Sequence, residues 1–217
     1  MKKTAVIVAG GAGARMQSDR PKQFLPLLGT PILIHTIRAF ESAFSDIRLI
    51  IVLPASHFEE GKKIVASHIK STIDFVEGGA TRFHSVKNGL DKIDNTSVVA
   101  IHDGVRPLIS TALINNLVGE TKSGRGVIPI IPVKNSIRKI EGENSVHIDR
   151  SNLYKVQTPQ CFLSADIKEA YTQDFSATFT DDASVFEANG GKINTLFGEE
   201  RNLKITTQQD LNIAEIL

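Results

Sequence analysis

One cysteine in 217 residues excludes an intrachain disulfide framework, and a reducing compartment, the cytoplasm, is the expected setting. That residue, Cys161, sits in TPQCFL beside apolar neighbours and reads as a small buried hydrophobe, not a nucleophile. An excess of charge is also lacking. Lys and Arg total 25 against 24 Asp and Glu, the net charge is +1 and the pI is about 7.9. Nucleic-acid binding therefore has no electrostatic support, and any phosphate recognition must be local. No apolar run approaches the ~18 residues of a membrane-spanning helix, so no membrane partner is expected. MKK followed by TAVIVA has the flavour of a signal peptide, but the run is short and ends in glycines, so it reads as a first strand. Two phosphate signatures are missing. No Gly-Lys-Ser/Thr follows the first apolar run, which removes the P-loop. From Gly11 the chain reads GAGARM, with Met16 where a dinucleotide fingerprint needs glycine or alanine, and a nicotinamide cofactor is disfavoured. No His/Cys cluster has zinc spacing.

What is present is an alternation of strand-like and helix-like segments. AVIVA (5–9), RLIIVL (48–53), TIDFVEGG (72–79), SVVAIHDG (97–104) and GVIPII (126–131) read as strands, most of them continuously apolar. Helices are expected behind Thr30-Pro31, over 57–69 despite Gly61, behind the cap Thr81, and from Ser110. After Gln157 helices follow near 164–173 and 181–189, then strands KINTLF (192–197) and LKIT (203–206), and a last helix from about 208. The fold class is α/β: one Rossmann-like domain over 1–217, with a mostly parallel twisted sheet covered by helices. A hairpin around Gly142-Glu143-Asn144 interrupts this rhythm at about 134–156. Its apolar residues, Ile137, Ile140, Val146 and Ile148, are too sparse for a core. It is expected to project as an arm and pack on a second copy of the chain, making a homodimer.

In open α/β sheets ligands bind at the carboxyl ends of strands. VAGGAGARM, EGGATR and HDGVRP all fall there. The first of these, glycine-rich after a strand, exposes backbone N–H groups suited to phosphate. Arg15 within it and Lys22 in DRPKQF add two cations that suit a triphosphate, whereas Arg20 before Pro21 reads as extended and solvated.

In their order, AGGAGARM, PKQFLPLLGTPIL, EGGATRFHSV, HDGVRP, IDRSNLYKVQTPQCF, TDDAS and NLKIT resemble the 2-C-methyl-D-erythritol 4-phosphate cytidylyltransferase family over essentially the whole chain. The wider group is the nucleotidyltransferases that activate sugars and polyols with a nucleoside triphosphate. The resemblance implies attack of a substrate phosphate oxygen on the α-phosphorus of CTP with loss of pyrophosphate, in the non-mevalonate route to isoprenoid precursors. Positioning and charge neutralisation would do the work, without a covalent enzyme intermediate. It further implies that Arg15 and Lys22 clamp the triphosphate, that Lys204 reaches the α-phosphate from the opposite side, and that Ala9, Gly10 and Gly11 supply backbone contacts. Gly79, Ala80 and Ser85 would read the cytosine edge and ribose, with Arg82 supporting that loop, and Asp103 would hold Mg²⁺ against the phosphates. Arg106, Thr158, Thr180 and Asp181 would serve the polyol phosphate. Ser136 and Arg150, on the arm, would contact methylerythritol phosphate bound to the partner subunit.

Plainer readings stand beside these. Asp103 could cap a turn, Lys204 could be a strand-edge lysine, and Arg150 could pair with Glu141 or Glu143 across the hairpin. His102 reads as a packing residue. Against the commonest family pattern, KNSI carries Asn135-Ser136 where Asp-Thr is usual, and Arg201 replaces a frequent acidic residue, leaving Asp103 as the sole carboxylate for a metal. Two other functions compete: a ribitol 5-phosphate cytidylyltransferase, and a non-catalytic nucleotide sensor on the same fold. The form of IDRSNLYKVQTPQ argues against the first. Retention of Arg15, Lys22, Asp103 and Lys204 argues against the second.

Overall fold

The computed structural model describes residues 1–11, 20–94 and 96–217. Arg15 therefore lies outside the described residues. The chain opens with β1 (Lys2–Val8), a small hairpin of β2 (Pro26–Leu27) and β3 (Thr30–Pro31), α1 (Ile32–Ala43), β4 (Arg48–Leu53) and α2 (Phe58–His68). Next come β5 (Ile73–Glu77), α3 (Arg82–Leu90), β6 (Ser97–Asp103), α4 (Thr111–Glu120) and β7 (Arg125–Pro132). β8 (Ile137–Glu141) and β9 (Asn144–Ile148) form the arm, and β10 (Tyr154–Val156), β11 (Gln160–Leu163), α5 (Ser164–Ala170), α6 (Asp182–Ala188), β12 (Lys192–Phe197) and α7 (Gln208–Ala214) complete the chain.

The main sheet is mostly parallel. β1 lies between β4 and β6, β5 flanks β4, and all three pairings are parallel. β11 runs antiparallel between β6 and β7, while β12 runs parallel to β7. Ile130 pairs with both Val156 and Phe197, so β10 and β12 occupy opposite edges of β7. Alternate residues of the buried strands face opposite ways. Ala5, Ile7, Leu49 and Ile51 pack under α1, α2 and α4, while Val6, Ile50, Val52, Val99 and Ile101 pack under α3, α5 and α6. A third cluster joins Leu27, Ile32 and Val105 to Ile205, Leu211 and Ala214 at the C-terminal helix.

Local chemistry explains most boundaries. Thr81 accepts a hydrogen bond from His84 N, and Ser110 one from Leu113 N, each satisfying an orphan amide at a helix start. Gly61 is tolerated inside α2 because a Cβ there would meet Leu53 Cδ1 at 2.8 Å and Phe24 Cζ at 2.9 Å, so the glycine lets the helix approach the sheet.

Three expectations are corrected. Thr30 is not the cap of α1: Thr30 and Pro31 pair with Leu27 and Pro26, and Pro31 takes the cap position without a side-chain bond. LKIT is not a strand. Its segment is held by Ile205 N donating to Val105 O, and Ile205 is buried by packing rather than by sheet pairing. Conversely, the segment around Cys161 forms β11, a central antiparallel strand. The hairpin is present as a separate two-stranded sheet, with Ile140 and Val146 exposed.

Candidate active site

The strand register brings the functional loops to one level. Val8 pairs with Val52 and with Asp103, and Val52 pairs with Val76. The ladders continue one step further: Ala9 N donates to Val52 O at 2.8 Å, Gly78 N to Leu53 O at 2.7 Å and Gly104 N to Val8 O at 2.9 Å. The chain thus leaves four neighbouring strands together, at the edge where parallel sheets bind ligands.

A cavity of about 380 Å³ opens there. Ala9, Gly10, Gly11, Lys22, Gly79, Ala80, Arg82, Ser85, Asp103 and Lys204 all line it, as do Val8, Gln23, Thr81 and Val105. Ser85 Oγ donates to Thr81 O at 2.9 Å and accepts from Gly79 N at 3.1 Å, so its hydroxyl holds the 78–82 loop in shape. Gly79 has no room for a side chain, since a Cβ would lie 2.4 Å from His84 Cβ. Buried Gln23 donates through Nε2 to Ala9 O at 2.6 Å and fixes the start of the glycine-rich loop. Gln23 was not singled out in the sequence; its only signal was a polar residue between Lys22 and Phe24.

A second cavity, about 240 Å³, adjoins the first. Arg106, Thr158, Thr180 and Asp181 line it with Val156, Gln157 and Gln160. Arg82, Asp103 and Lys204 line both cavities and form their common wall.

Asp103 is the centre of that wall. Its carboxylate lies 2.8 Å from Lys204 Nζ, 3.3 Å from Arg82 Nε and 3.6 Å from Arg106 Nε. Burial alone would raise its pKa, but Arg82, Lys204 and Arg106 outweigh burial and hold the carboxyl far below the usual range. Arg82 is fixed from behind by Asp182: Nη1 and Nη2 donate to its two carboxylate oxygens at 2.8 Å each, and Tyr171 Oη donates to Asp182 Oδ1 at 2.6 Å. Burial disfavours the Arg82 charge, yet Asp182 and Asp103 more than compensate and raise its pKa well above the ordinary value.

Behind this wall lies a buried polar network. Thr158 Oγ1 accepts from Asp103 N at 3.1 Å and bonds His102 Nδ1 at 3.0 Å, while His102 Nε2 meets Arg106 O at 3.2 Å. Fully buried, His102 is pushed down to about 4 by desolvation, which Asp103 only partly opposes, so it is neutral at pH 7. Asn202 Nδ2 donates to Thr158 O at 2.9 Å, and Arg106 Nη1 donates to Asn202 O at 2.8 Å, anchoring the segment that carries Lys204. Burial drives the Cys161 thiol strongly upward, which keeps it a packing residue.

The remaining candidates fall outside the two cavities or have a second task. Asp181 lines the smaller cavity, but its oxygens accept from Ser184 N at 2.9 Å and Gln160 Nε2 at 2.8 Å, so it also caps α6. Ser136 and Arg150 are exposed near the base of the arm and line neither cavity; Arg150 donates to Lys134 O. Among the described residues no cluster of three or more His, Cys, Asp or Glu could hold a metal. A divalent cation here would rest on Asp103 with ligand oxygens and water. Mg²⁺ commonly takes one or two carboxylates plus substrate phosphates; Asp103 is ionised and lines both cavities, with its two oxygens engaged by Arg82 and Lys204.

A glycine-walled cavity at the strand ends, joined through a charged wall to a polar cavity, suits nucleotidyl transfer, and the family match makes the chain a nucleotidyltransferase. The chain belongs to the 2-C-methyl-D-erythritol 4-phosphate cytidylyltransferase (IspD) family, whose model matches residues 3–217. It is 43% identical over 218 residues to the 2-C-methyl-D-erythritol 4-phosphate cytidylyltransferase of Phocaeicola vulgatus, covering 100% of both chains. It is 38% identical over 222 residues to that of Bacillus velezensis, covering 100% of this chain and 96% of the other. Among solved structures, the Anaerococcus prevotii 4-diphosphocytidyl-2C-methyl-D-erythritol synthase superposes with a TM-score of 0.82 at 28% identity, covering 99% of this chain and 95% of that one. The Thermus thermophilus enzyme gives 0.78 at 28% identity, covering 100% and 98%.

Proposed function

We propose that this protein transfers a cytidylyl group from CTP to 2-C-methyl-D-erythritol 4-phosphate, forming 4-diphosphocytidyl-2-C-methyl-D-erythritol and releasing pyrophosphate. The observation that carries this reading is the wall of Arg82, Asp103 and Lys204 shared by two cavities. CTP occupies the larger cavity and the polyol phosphate the smaller one, so the reacting atoms meet at the wall. An oxygen of the acceptor phosphate attacks the α-phosphorus, and the bond from that phosphorus to the bridging oxygen of pyrophosphate breaks. A phosphate monoester is largely dianionic at pH 7, with its second pKa near ~6, so no general base is needed. Catalysis rests on alignment and on cations facing the charge that develops. Lys22 and the backbone at 9–11 hold the triphosphate, and Arg15 joins them. Lys204 serves the α-phosphate from the other side. Asp103 would hold Mg²⁺, which when bound neutralises phosphate charge. It also keeps Arg82, Arg106 and Lys204 converged. Arg106, Thr158 and Thr180 orient the acceptor.

The reading includes a homodimer built through the arm. Ser136 and Arg150 are exposed and line neither cavity of their own chain, and Ile140, Val146, Tyr154 and Val156 present exposed apolar surface. A second copy covers that surface and receives the two polar side chains at its acceptor cavity. No helix among the described residues is long and apolar enough to cross a membrane, and a cytoplasmic setting accords with the single buried cysteine. Pyrophosphate release from CTP and Mg²⁺, with methylerythritol 4-phosphate or ribitol 5-phosphate supplied separately, tests the proposal. Release with the first acceptor alone is expected. Release with ribitol phosphate alone would reassign the acceptor, and silence with both would overturn the reaction.

A further inference from the structure

The common wall contains one group whose position is set from outside both cavities. Arg82 lies at the first turn of α3 and faces the nucleotide and acceptor cavities, but its guanidinium fork points the other way, onto Asp182. A guanidinium has five N–H groups in a fixed plane, and a bidentate carboxylate uses the outer edge of that plane. With the edge taken, only Nε reaches Asp103, at 3.3 Å. Arg82 therefore makes one weak contact to Asp103 and leaves that carboxylate open to Lys204 at 2.8 Å. Asp182 is fully buried at the first turn of α6 and lines neither cavity. Its Oδ1 is also held by Tyr171 Oη at 2.6 Å, and the Tyr171 ring stacks on Phe83 with centroids 4.7 Å apart. Asp182 is thus held from two sides, by the Arg82 fork and by the Tyr171 hydroxyl. The strut also ties the start of α3, behind the nucleotide loop, to the start of α6, behind Thr180 and Asp181 of the acceptor cavity.

We infer that Asp182, oriented by the Tyr171 hydroxyl, is a positioning residue for the transfer step, and that it acts by holding the fork of Arg82 away from Asp103. This rests on the cytidylyl-transfer reading. Removing the Asp182 charge frees the fork to chelate Asp103, which would withdraw that carboxylate from Lys204. Neither Asp182 nor Tyr171 lines either cavity, so the expected loss falls on kcat rather than on the KM of either substrate.

The test is a double-mutant cycle on the full chain. Tyr171→Phe removes only the hydroxyl and keeps the stack; Asp182→Asn keeps the shape and removes the charge. Each is measured alone and with Arg82→Lys, which has no fork, with circular dichroism melts confirming that the proteins are folded at the assay temperature. Expected is a fall in kcat of about tenfold for Tyr171→Phe and about a hundredfold for Asp182→Asn, with KM values within about threefold. In the Arg82→Lys background each further loss should shrink to about threefold or less. Wild-type kcat in a folded Tyr171→Phe protein, or losses that multiply fully with Arg82→Lys, would overturn the inference. If Asp182→Asn does not fold, the Tyr171→Phe cycle alone decides. An inactive wild-type protein would instead overturn the cytidylyl-transfer reading, so the two failures are distinct.

Discussion

Replacing Asp103 by Asn changes one atom type and should disturb both the fold and the reaction. Three cations converge on this carboxylate at 2.8–3.6 Å, and its side chain is only 9% exposed. Breaking a buried ion pair by removing one partner costs about 3–5 kcal/mol. Two features reduce that here: Arg82 keeps Asp182, and Lys204 is 39% exposed and can turn to water. A loss of about 2–4 kcal/mol follows. For a chain of this size it lowers Tm by roughly 4–16 °C. Turnover should fall by about 10³, because Lys204 and Arg106 lose their common counter-ion beside the reacting phosphates. The pH dependence separates this from general damage. The folded carboxyl titrates far below its unfolded value near ~4, so its contribution is complete above that value and is lost only as pH falls further. Wild type and Asp103→Asn should therefore differ in stability by a constant amount from pH 5 to 8, and converge only below pH ~4. Calorimetric melts across that range, with pyrophosphate release at pH 7.5, are the assays. A Tm within about 1 °C of wild type would refute the charge-centre argument.

Three further outcomes are expected. Gly79→Ala forces a methyl against His84 and should cost about 1–3 kcal/mol while raising the CTP dissociation constant about tenfold; unchanged calorimetric titration would contradict the tight loop. Buried His102 stays neutral down to about 4, whereas the unfolded chain takes up its proton near ~6.5, so acid costs stability between those values, about 3 kcal/mol in all. Urea titrations from pH 7 to 4.5 should show that slope, and His102→Asn should largely flatten it; an equal slope in the variant would mean another group is responsible. Placing Asp at both Ile140 and Val146 should give monomers by sedimentation and reduce activity strongly, whereas a persistent dimer would move the interface off the arm.

The sequence displayed some parts of this molecule openly. RLIIVL and KINTLF coincide with β4 and β12: the first is a nearly continuous apolar run closed by Pro54, the second an alternating run set off by Gly190-Gly191 and Gly198. Thr81 and Ser110 announced their helices through cap chemistry. The nucleotide loops were legible because glycines follow β1 and β5 closely, Asp103 closes β6, and Lys22 comes after the first glycine-rich stretch. β11 was concealed by Pro159 and Gln160, polar or strand-averse at its start, although Gln160 is fully buried by bonds to Asp181 and Ala183 N. LKIT misled for the opposite reason, since its alternation serves packing on Leu27 and Leu211 without a neighbouring strand. The Arg82–Asp182 pair left no trace at all. Its members lie 100 residues apart, and in TDDAS the eye falls on two adjacent aspartates without knowing which faces inward. Gln23, Gln157 and Asn202 were hidden likewise, because their partners are mostly backbone atoms supplied by the fold.

The central claim is that two substrates meet across one wall and react directly. Stereochemistry at the α-phosphorus tests it. With CTP made chiral by sulfur at that phosphorus, a single in-line displacement by the methylerythritol phosphate oxygen gives product of inverted configuration. Inversion is the predicted result. Retention would require a covalent nucleotidyl-enzyme between two displacements, and would contradict a site built from a shared cationic wall.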